Sequence, residues 1–281
     1  MVMISFLRTP GPAIAGLLLA LLPLWSGATK DVPFVVTPEE VAVSMLQLAN
    51  VGPADHVIDL GSGDGRIVIT AAKRFGASGL GVEIVPELVA RSIENAKRAG
   101  VEARVKFVEQ DLFKADLAAA TVVTLYLMPD VNLKLRPSLL ELKAGTRIVS
   151  HDWDMGDWKP DRTATVQGLG RKPGARRTSD VYVWVVPMDV DALWCGEGNA
   201  TGTRMVLSQQ YQNASGTLSN VRGVHYIEAA IDGRRMTSTK AEGQLAFAED
   251  NDVLHVREAS GPFAPLKGAS FTRSCCGSCS Y

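Results

Sequence analysis

The sequence predicts an α/β fold, a mainly parallel sheet with helices on both faces, followed by a small antiparallel β domain. Three observations carry this expectation. Between residues 37 and 150, short apolar runs alternate with amphipathic stretches of ten or more residues, the pattern of a covered parallel sheet. The first of these runs leads straight into a turn containing Gly61, Gly63 and Gly65. Beyond residue 187 no helical period survives, and short segments are separated by Gly, Asn and Asp, as in small sheets and barrels.

Taken in order, Thr37 stands where it can cap a helix, with Pro38 at the first position and Glu40 three residues after the cap. That arrangement predicts a capping box. The helix runs to about residue 49 and turns Val41, Met45, Leu46 and Ala49 to one side. Strands are expected over 57–60, 79–83, 105–109, 121–127 and 145–150, with helices over 65–75, 86–99 and 132–142 between them. The stretches 164–168 and 180–187 have only a loop between them and predict an antiparallel hairpin at the sheet edge, making a seven-stranded, Rossmann-like sheet. Residues 171–177 hold four positive side chains and read as a solvated turn.

In the last third, strands are expected over 204–207, 216–219, 224–231, 243–247 and 253–257. With eight basic and nine acidic residues from position 190 onward, this part has nearly balanced charge and names no ligand. The expected organisation is a targeting segment over 1–28, a nucleotide-binding α/β domain over 29–188 and a β-rich domain with a cysteine-containing tail over 189–281.

Residues 14–25 read IAGLLLALLPLW, without charge, after Arg8 and before the small residues Ser26, Gly27 and Ala28. This reads as an export signal or as an uncleaved anchor, with a buried segment or a misassigned start as the bland alternative. In the first two readings Arg8 leaves the bulk of the chain exported or membrane-anchored. At 46% apolar and 21% charged residues the 281-residue chain is too apolar for disorder. Its net charge of -1 argues against broad, backbone-driven nucleic-acid binding.

The stretch Val57-Ile58-Asp59-Leu60-Gly61-Ser62-Gly63-Asp64-Gly65-Arg66 carries the chemistry. A strand that ends in a glycine turn and opens a helix lets the backbone approach a ligand at a helix N-terminus. The spacing GxGxG does not reproduce the pyrophosphate-binding GxGxxG. Asp59, two residues before the first glycine, would repel a phosphate and suit a cationic ligand. Glu83 ends the next strand, 20 residues after Gly63, where a carboxylate can accept both hydroxyls of a ribose.

From about residue 33 to residue 187 the sequence resembles the class I S-adenosylmethionine-dependent methyltransferases. The resemblance implies that Gly61, Gly63 and Gly65 contact the amino-acid part of S-adenosylmethionine and that Glu83 holds the ribose. In Gln110-Asp111-Leu112-Phe113 it implies Asp111 as the adenine partner, with Leu112 beside it. The runs PFVVTPEEVAVSMLQLA and VIDLGSGDGRIVITAA resemble the small protein-lysine methyltransferases of the mitochondrial carrier and ATP-synthase c-subunit type and their bacterial relatives. There the segment before the first helix closes over the cofactor, which implicates Phe34 and Thr37. Each acid also has a plain structural reading: Asp59 and Asp111 as caps, Glu83 as a strand-end carboxylate.

The methyl acceptor belongs at the carboxyl ends of the fourth and fifth strands. After the fourth, Leu125-Tyr126-Leu127-Met128-Pro129-Asp130 lacks the Asp/Asn-Pro-Pro-aromatic tetrad of amino-directed nucleic-acid methyltransferases. Tyr126 can orient an amine or be a core aromatic; Asp130 reads as a helix cap or a substrate contact. After the fifth, Ser150-His151-Asp152-Trp153-Asp154-Met155-Gly156-Asp157-Trp158 reads as a working loop. Its carboxylates can attract an ammonium and take its proton, its tryptophans can line a channel, and His151, with a neutral-range imidazole, can act as a base. The bland reading is an edge loop covering the sheet.

No metal-ligand spacing occurs before the tail. Cys195, Cys275, Cys276 and Cys279 allow a disulfide from Cys195 to the tail, free thiols or half of a metal site. The sequence thus predicts methyl transfer from S-adenosylmethionine to a protein lysine amine. The alternatives are a small-molecule or lipid methyltransferase at the membrane, and a non-catalytic exported binding protein that retains the fold. S-adenosylmethionine is a cytosolic cofactor, so either the apolar segment anchors a catalytic domain kept on the cytoplasmic side, or the domain acts outside; the sequence leaves both open.

Overall fold

The computed structural model describes residues 35–167, 178–274 and 279. The readings of the N-terminal segment, of Phe34, of the 171–177 turn and of Cys275 and Cys276 lie outside these residues.

Five parallel strands form the centre of the sheet. β1 (His56–Leu60) lies between β2 (Ser78–Glu83) and β4 (Val122–Leu125), β3 (Val105–Glu109) extends the sheet beyond β2, and β5 (Arg147–His151) extends it beyond β4. β6 (Arg162–Gln167) and β7 (Thr178–Val185) add the antiparallel edge, giving the order β3-β2-β1-β4-β5-β7-β6. The strand order reverses between β1 and β4, where sheets of this kind open a crevice at the carboxyl ends.

Alternate residues of the central strands feed two cores, because strand side chains alternate between faces. Val57 and Val122 pack with Val41, Met45 and Leu46 of α1 (Glu39–Leu48) and with Ile67 and Ala71 of α2 (Arg66–Phe75). Ile58, Leu60, Val123 and Leu125 pack on the other face with Leu135 and Leu139 of α4 (Pro129–Leu140). α3 (Pro86–Ala99) packs beside α2 and over β3 through Ala96, with Val68 and Val105 in the same cluster. Between β5 and β6 there is no helix, and Trp158 and Trp184 fill that part of the second face.

The last eight strands close into a barrel: β8 (Ala192–Glu197), β9 (Arg204–Gln210), β10 (Asn213–Asn220), β11 (Gly223–Asp232), β12 (Arg235–Lys240), β13 (Leu245–Asp250), β14 (Val253–Ala259) and β15 (Ser270–Arg273). Its interior is apolar and includes Trp194, Met205, Ile227, Phe247, Phe263 and Phe271. A disulfide joins Cys195 of β8 to Cys279 and ties the tail to the barrel. Among the described residues, sheet and barrel form one compact unit. Among the described residues, no helix is long and apolar enough to cross a membrane.

Four expectations need correction. Thr37 makes no cap contact with α1; the cap position is Pro38, and the Thr37 side chain turns to His151 instead. β4 stops at Leu125 and α4 begins at Pro129, because a proline suits the first helical position. Met128 is therefore the cap residue, and Asp130 is an exposed member of the first turn. The strands β8, β12 and β15 were not anticipated. β12 turns only Met236 fully inward, and β15 only Phe271, so neither carries a run of apolar alternation.

Candidate functional site

The glycine turn is built as its residue types require. Gly61, Gly63 and Gly65 all have left-handed backbones, with φ of 75°, 55° and 79°. A side chain at Gly65 would also strike Phe107 and Ser92, so the close passage of the loop over β3 and α3 needs glycine there. The loop is pinned by Glu83, whose Oε2 accepts from the Gly63 N–H at 2.9 Å while Oε1 accepts from Ile84 and Val85.

Asp59 is 2% exposed and stands opposite Thr124 across the β1–β4 pair. The Thr124 hydroxyl donates to Asp59 Oδ1 at 2.7 Å, so the contact spans the point where the strand order reverses. Burial pushes the Asp59 carboxyl up to about 7; the Thr124 hydrogen bond opposes the shift, and the neighbouring Glu83 and Asp64 charges add to it. Asp64 moves the other way. Burial raises it, but the Arg66 hydrogen bonds and charge outweigh burial and hold it below the usual range.

With Asp64 already paired to Arg66, the Asp59 and Glu83 carboxyls make the cradle unfavourable for a phosphate and suited to a cation. S-adenosylmethionine carries a sulfonium and an α-ammonium, and the residues present fit it in charge. The Ser62 hydroxyl, buried in the same turn, has no hydrogen-bond partner in the described structure.

Asp111 caps a short turn over Leu112–Lys114, its Oδ1 accepting from the Phe113 N–H at 3.0 Å. It stays partly exposed, two residues beyond Glu109, which pairs with Glu83 across β2 and β3. Leu112 packs against the second-face core.

On the acceptor side, Tyr126 follows β4 and stacks on His151 at the end of β5, with ring centroids 3.9 Å apart. His151 is 1% exposed. Its Nδ1 lies 3.3 Å from Thr37 Oγ1 and its Nε2 2.8 Å from Ser179 Oγ. Asp152 takes a left-handed backbone, φ 63°, and clasps β7: its N–H donates to Asp180 O at 2.7 Å and its Oδ1 accepts from Asp180 N–H at 3.0 Å. Its Oδ2 lies 3.7 Å from His151 Nε2.

Thr37 joins the two halves. Its carbonyl accepts from Arg66 Nη1 at 2.9 Å, and Arg66 is the partner of Asp64 in the glycine turn. The structure thus brings Asp59, Glu83 and the three glycines together, and Thr37, Tyr126, His151 and Asp152 together.

The reading of the 150–158 loop is only partly met. Trp158 is fully buried and donates its indole N–H to Gln212 of the barrel, so it lines no channel. Asp157 is bound by Tyr211 and Arg136, and Asp154 accepts from the Gly156 N–H. Trp153 is the tryptophan that keeps exposure, at 39%.

Sequence reasoning missed Thr124, Arg66, Ser179 and Asn132. Asn132 of α4 donates to the Trp153 carbonyl at 3.2 Å and the Asp154 carbonyl at 3.4 Å, which fixes its amide orientation and leaves its buried Oδ1 without a partner. Thr124, Ser179 and Asn132 act through strand register or through a partner far along the chain; Arg66 pairs locally with Asp64, but its bond to the Thr37 carbonyl spans 29 positions.

Residues 59–162 match the family of the ANTKMT methyltransferase domain. The chain is 45% identical to a protein-lysine N-methyltransferase of Saccharolobus islandicus (strain REY15A), over 55% of this chain and 94% of that protein. It is 40% identical to the ATP synthase c-subunit lysine N-methyltransferase of Mus musculus, over 40% of this chain and 45% of that protein. It therefore spans less than half the length of that mouse relative. A Salinibacter ruber structure described as an RNA methyltransferase with S-adenosyl-L-homocysteine is 52% identical, with a TM-score of 0.51, over 56% of this chain and 96% of that one. The barrel lies beyond the residues matched by the family.

Proposed function

The chain belongs to the class I S-adenosylmethionine-dependent methyltransferases, among the small protein-lysine methyltransferases, and from that premise we propose that its acceptor is the side-chain amine of a protein lysine. The identity to the Saccharolobus islandicus protein-lysine N-methyltransferase, across nearly all of that protein, carries the proposal.

When bound, S-adenosylmethionine would supply an electrophilic methyl group to an amine lone pair, the electron pair of the broken C–S bond leaving with the thioether sulfur. S-adenosylmethionine would be held with Asp59 toward its cationic part, Glu83 toward the ribose and Asp111 toward the adenine, while the glycine turn would admit the amino-acid part. Thr37 closes the near side. The amine must reach the methyl carbon unprotonated and in line.

Tyr126 and Asp152 keep some exposure and are assigned to the amine: the phenol orients it, and the carboxylate draws the ammonium and takes its proton. The burial of His151 and its two hydroxyl neighbours support a positioning role, beneath the Tyr126 ring and beside Asp152.

An RNA acceptor is the second reading, favoured by the description of the Salinibacter relative. The segment that begins at the last residue of β4, LYLMPD, lacks the tetrad of amino-directed nucleic-acid methyltransferases and favours the lysine. Transfer from tritiated S-adenosylmethionine to poly-L-lysine and to total RNA separates the two. Label on poly-L-lysine is expected; label on RNA alone contradicts the proposal.

Location is part of the same proposal. The apolar residues 14–25 and the Cys195–Cys279 bridge support an exported or membrane-anchored chain, since such bridges persist in oxidising compartments. Alkylation of Cys195 and Cys279 in intact cells without prior reduction would contradict it.

A further inference from the structure

The second face of the sheet lacks a helix between β5 and β6, and a turn of the barrel takes part in covering it. That turn is Tyr211 and Gln212, between β9 and β10, with Tyr211 held at φ 54°. The Tyr211 ring lies 6.0 Å from that of Trp158 and 17° from parallel, and packs on the core of this face. Its hydroxyl donates to Asp157 Oδ2 at 2.9 Å, while Arg136 of α4 binds the other oxygen.

Gln212 Oε1 accepts from the Trp158 indole at 2.9 Å, and its amide nitrogen donates to Asp161 Oδ2 at 2.9 Å. Gln212 also donates to the Lys159 carbonyl at 3.4 Å, so one two-residue turn holds four residues of a single loop. That loop begins at Asp152, whose clasp on β7 fixes its first residue, and Asn132 holds the next two carbonyls. Between the anchors Trp153 is left facing solvent.

We propose that Tyr211 and Gln212 are positioning residues for methyl transfer, the barrel holding the loop that follows His151 and Asp152 in the shape that presents Trp153 and Asp152 to the acceptor. The inference rests on assigning that loop to the acceptor side. It gives the barrel a part in the reaction that its distance in sequence from the glycine turn conceals. The glycine turn makes no contact with Tyr211 or Gln212 among the described hydrogen bonds, so loss of the turn acts on transfer and spares cofactor affinity.

The test compares the full chain with Tyr211→Ala, Tyr211→Phe and Gln212→Ala. Amide hydrogen exchange over residues 153–161 is read alongside S-adenosylmethionine affinity and turnover on poly-L-lysine. Both alanine variants are expected to speed exchange in that loop about tenfold, with the central strands β1, β4 and β5 exchanging as in wild type. Turnover falls about tenfold, the dissociation constant for S-adenosylmethionine stays within about twofold, and Tyr211→Phe, which keeps the ring, recovers most of the turnover. Wild-type loop exchange in the alanine variants overturns the proposal, as does wild-type turnover despite faster exchange. If wild type leaves poly-L-lysine unmodified, it is the lysine reading that fails, and the exchange result alone then decides whether the barrel holds the loop.

Discussion

Thr37 Oγ1 lies 3.3 Å from His151 Nδ1, across 114 positions of sequence. The same residue's carbonyl accepts from Arg66, so the segment before α1 touches both the glycine turn and the acceptor side. Replacing the hydroxyl by a methyl group removes one hydrogen bond and little volume. Thr37→Val is expected to lower turnover about fivefold, the worth of about 1 kcal/mol, with Thr37→Ser restoring it. Equal turnover in wild type and Thr37→Val would remove this contact from the mechanism.

Asp59 supplies a pH dependence with a definite sign. Its carboxyl is raised to about 7, chiefly by burial, and a cationic ligand favours the ionised form. Affinity for S-adenosylmethionine should therefore be about tenfold weaker at pH 6 than at pH 8, levelling above pH 7, by calorimetric titration. Stability of the ligand-free chain runs the other way. Its folded value exceeds the unfolded one, so the contribution is fully present below about pH 4 and is lost as pH rises through about 7. Asp59→Asn should flatten both profiles; a flat affinity profile in wild type would contradict the assignment.

Asp111 serves two purposes that one substitution can separate. Asparagine keeps an oxygen for the Phe113 N–H but removes the charge offered to an adenine amino group. Asp111→Asn should leave the melting temperature within about 2 °C and weaken S-adenosylmethionine binding about fivefold, whereas Asp111→Ala loses the cap as well. Unchanged affinity in both variants would leave Asp111 a cap alone.

For Asp152 the alanine variant is the less informative one. Its left-handed backbone and its bond from Asp180 N–H predict that Asp152→Ala loses about 1–3 kcal/mol of stability. Asp152→Asn tolerates that backbone and can still accept from Asp180. Slower transfer in Asp152→Asn, with unchanged cofactor affinity and melting temperature, is the expected result. Wild-type turnover in this variant would reduce Asp152 to a clasp.

The parts legible in the sequence were those whose cause is local. A strand that runs into three glycines, an acid at its end and another at the end of the next strand are fixed by spacing within about thirty residues. Asp59 was therefore found, but Thr124, its partner 65 positions away, was not, because the pairing depends on β1–β4 register. Thr37 shows the opposite error: a local capping pattern was outweighed by a tertiary partner. Trp158 reads as a channel wall in sequence because its burial comes from a barrel turn more than fifty residues away. β12 and β15 escaped because a barrel strand that buries one large side chain leaves almost no periodic signal.

The acceptor is the central claim, and trideuteromethyl-labelled S-adenosylmethionine tests it most directly. The full chain is incubated with an extract holding both protein and RNA, and the labelled atom is located by mass spectrometry. The account predicts the label on a lysine Nε of a protein; label confined to RNA bases, or to protein atoms other than a lysine amine, would contradict it.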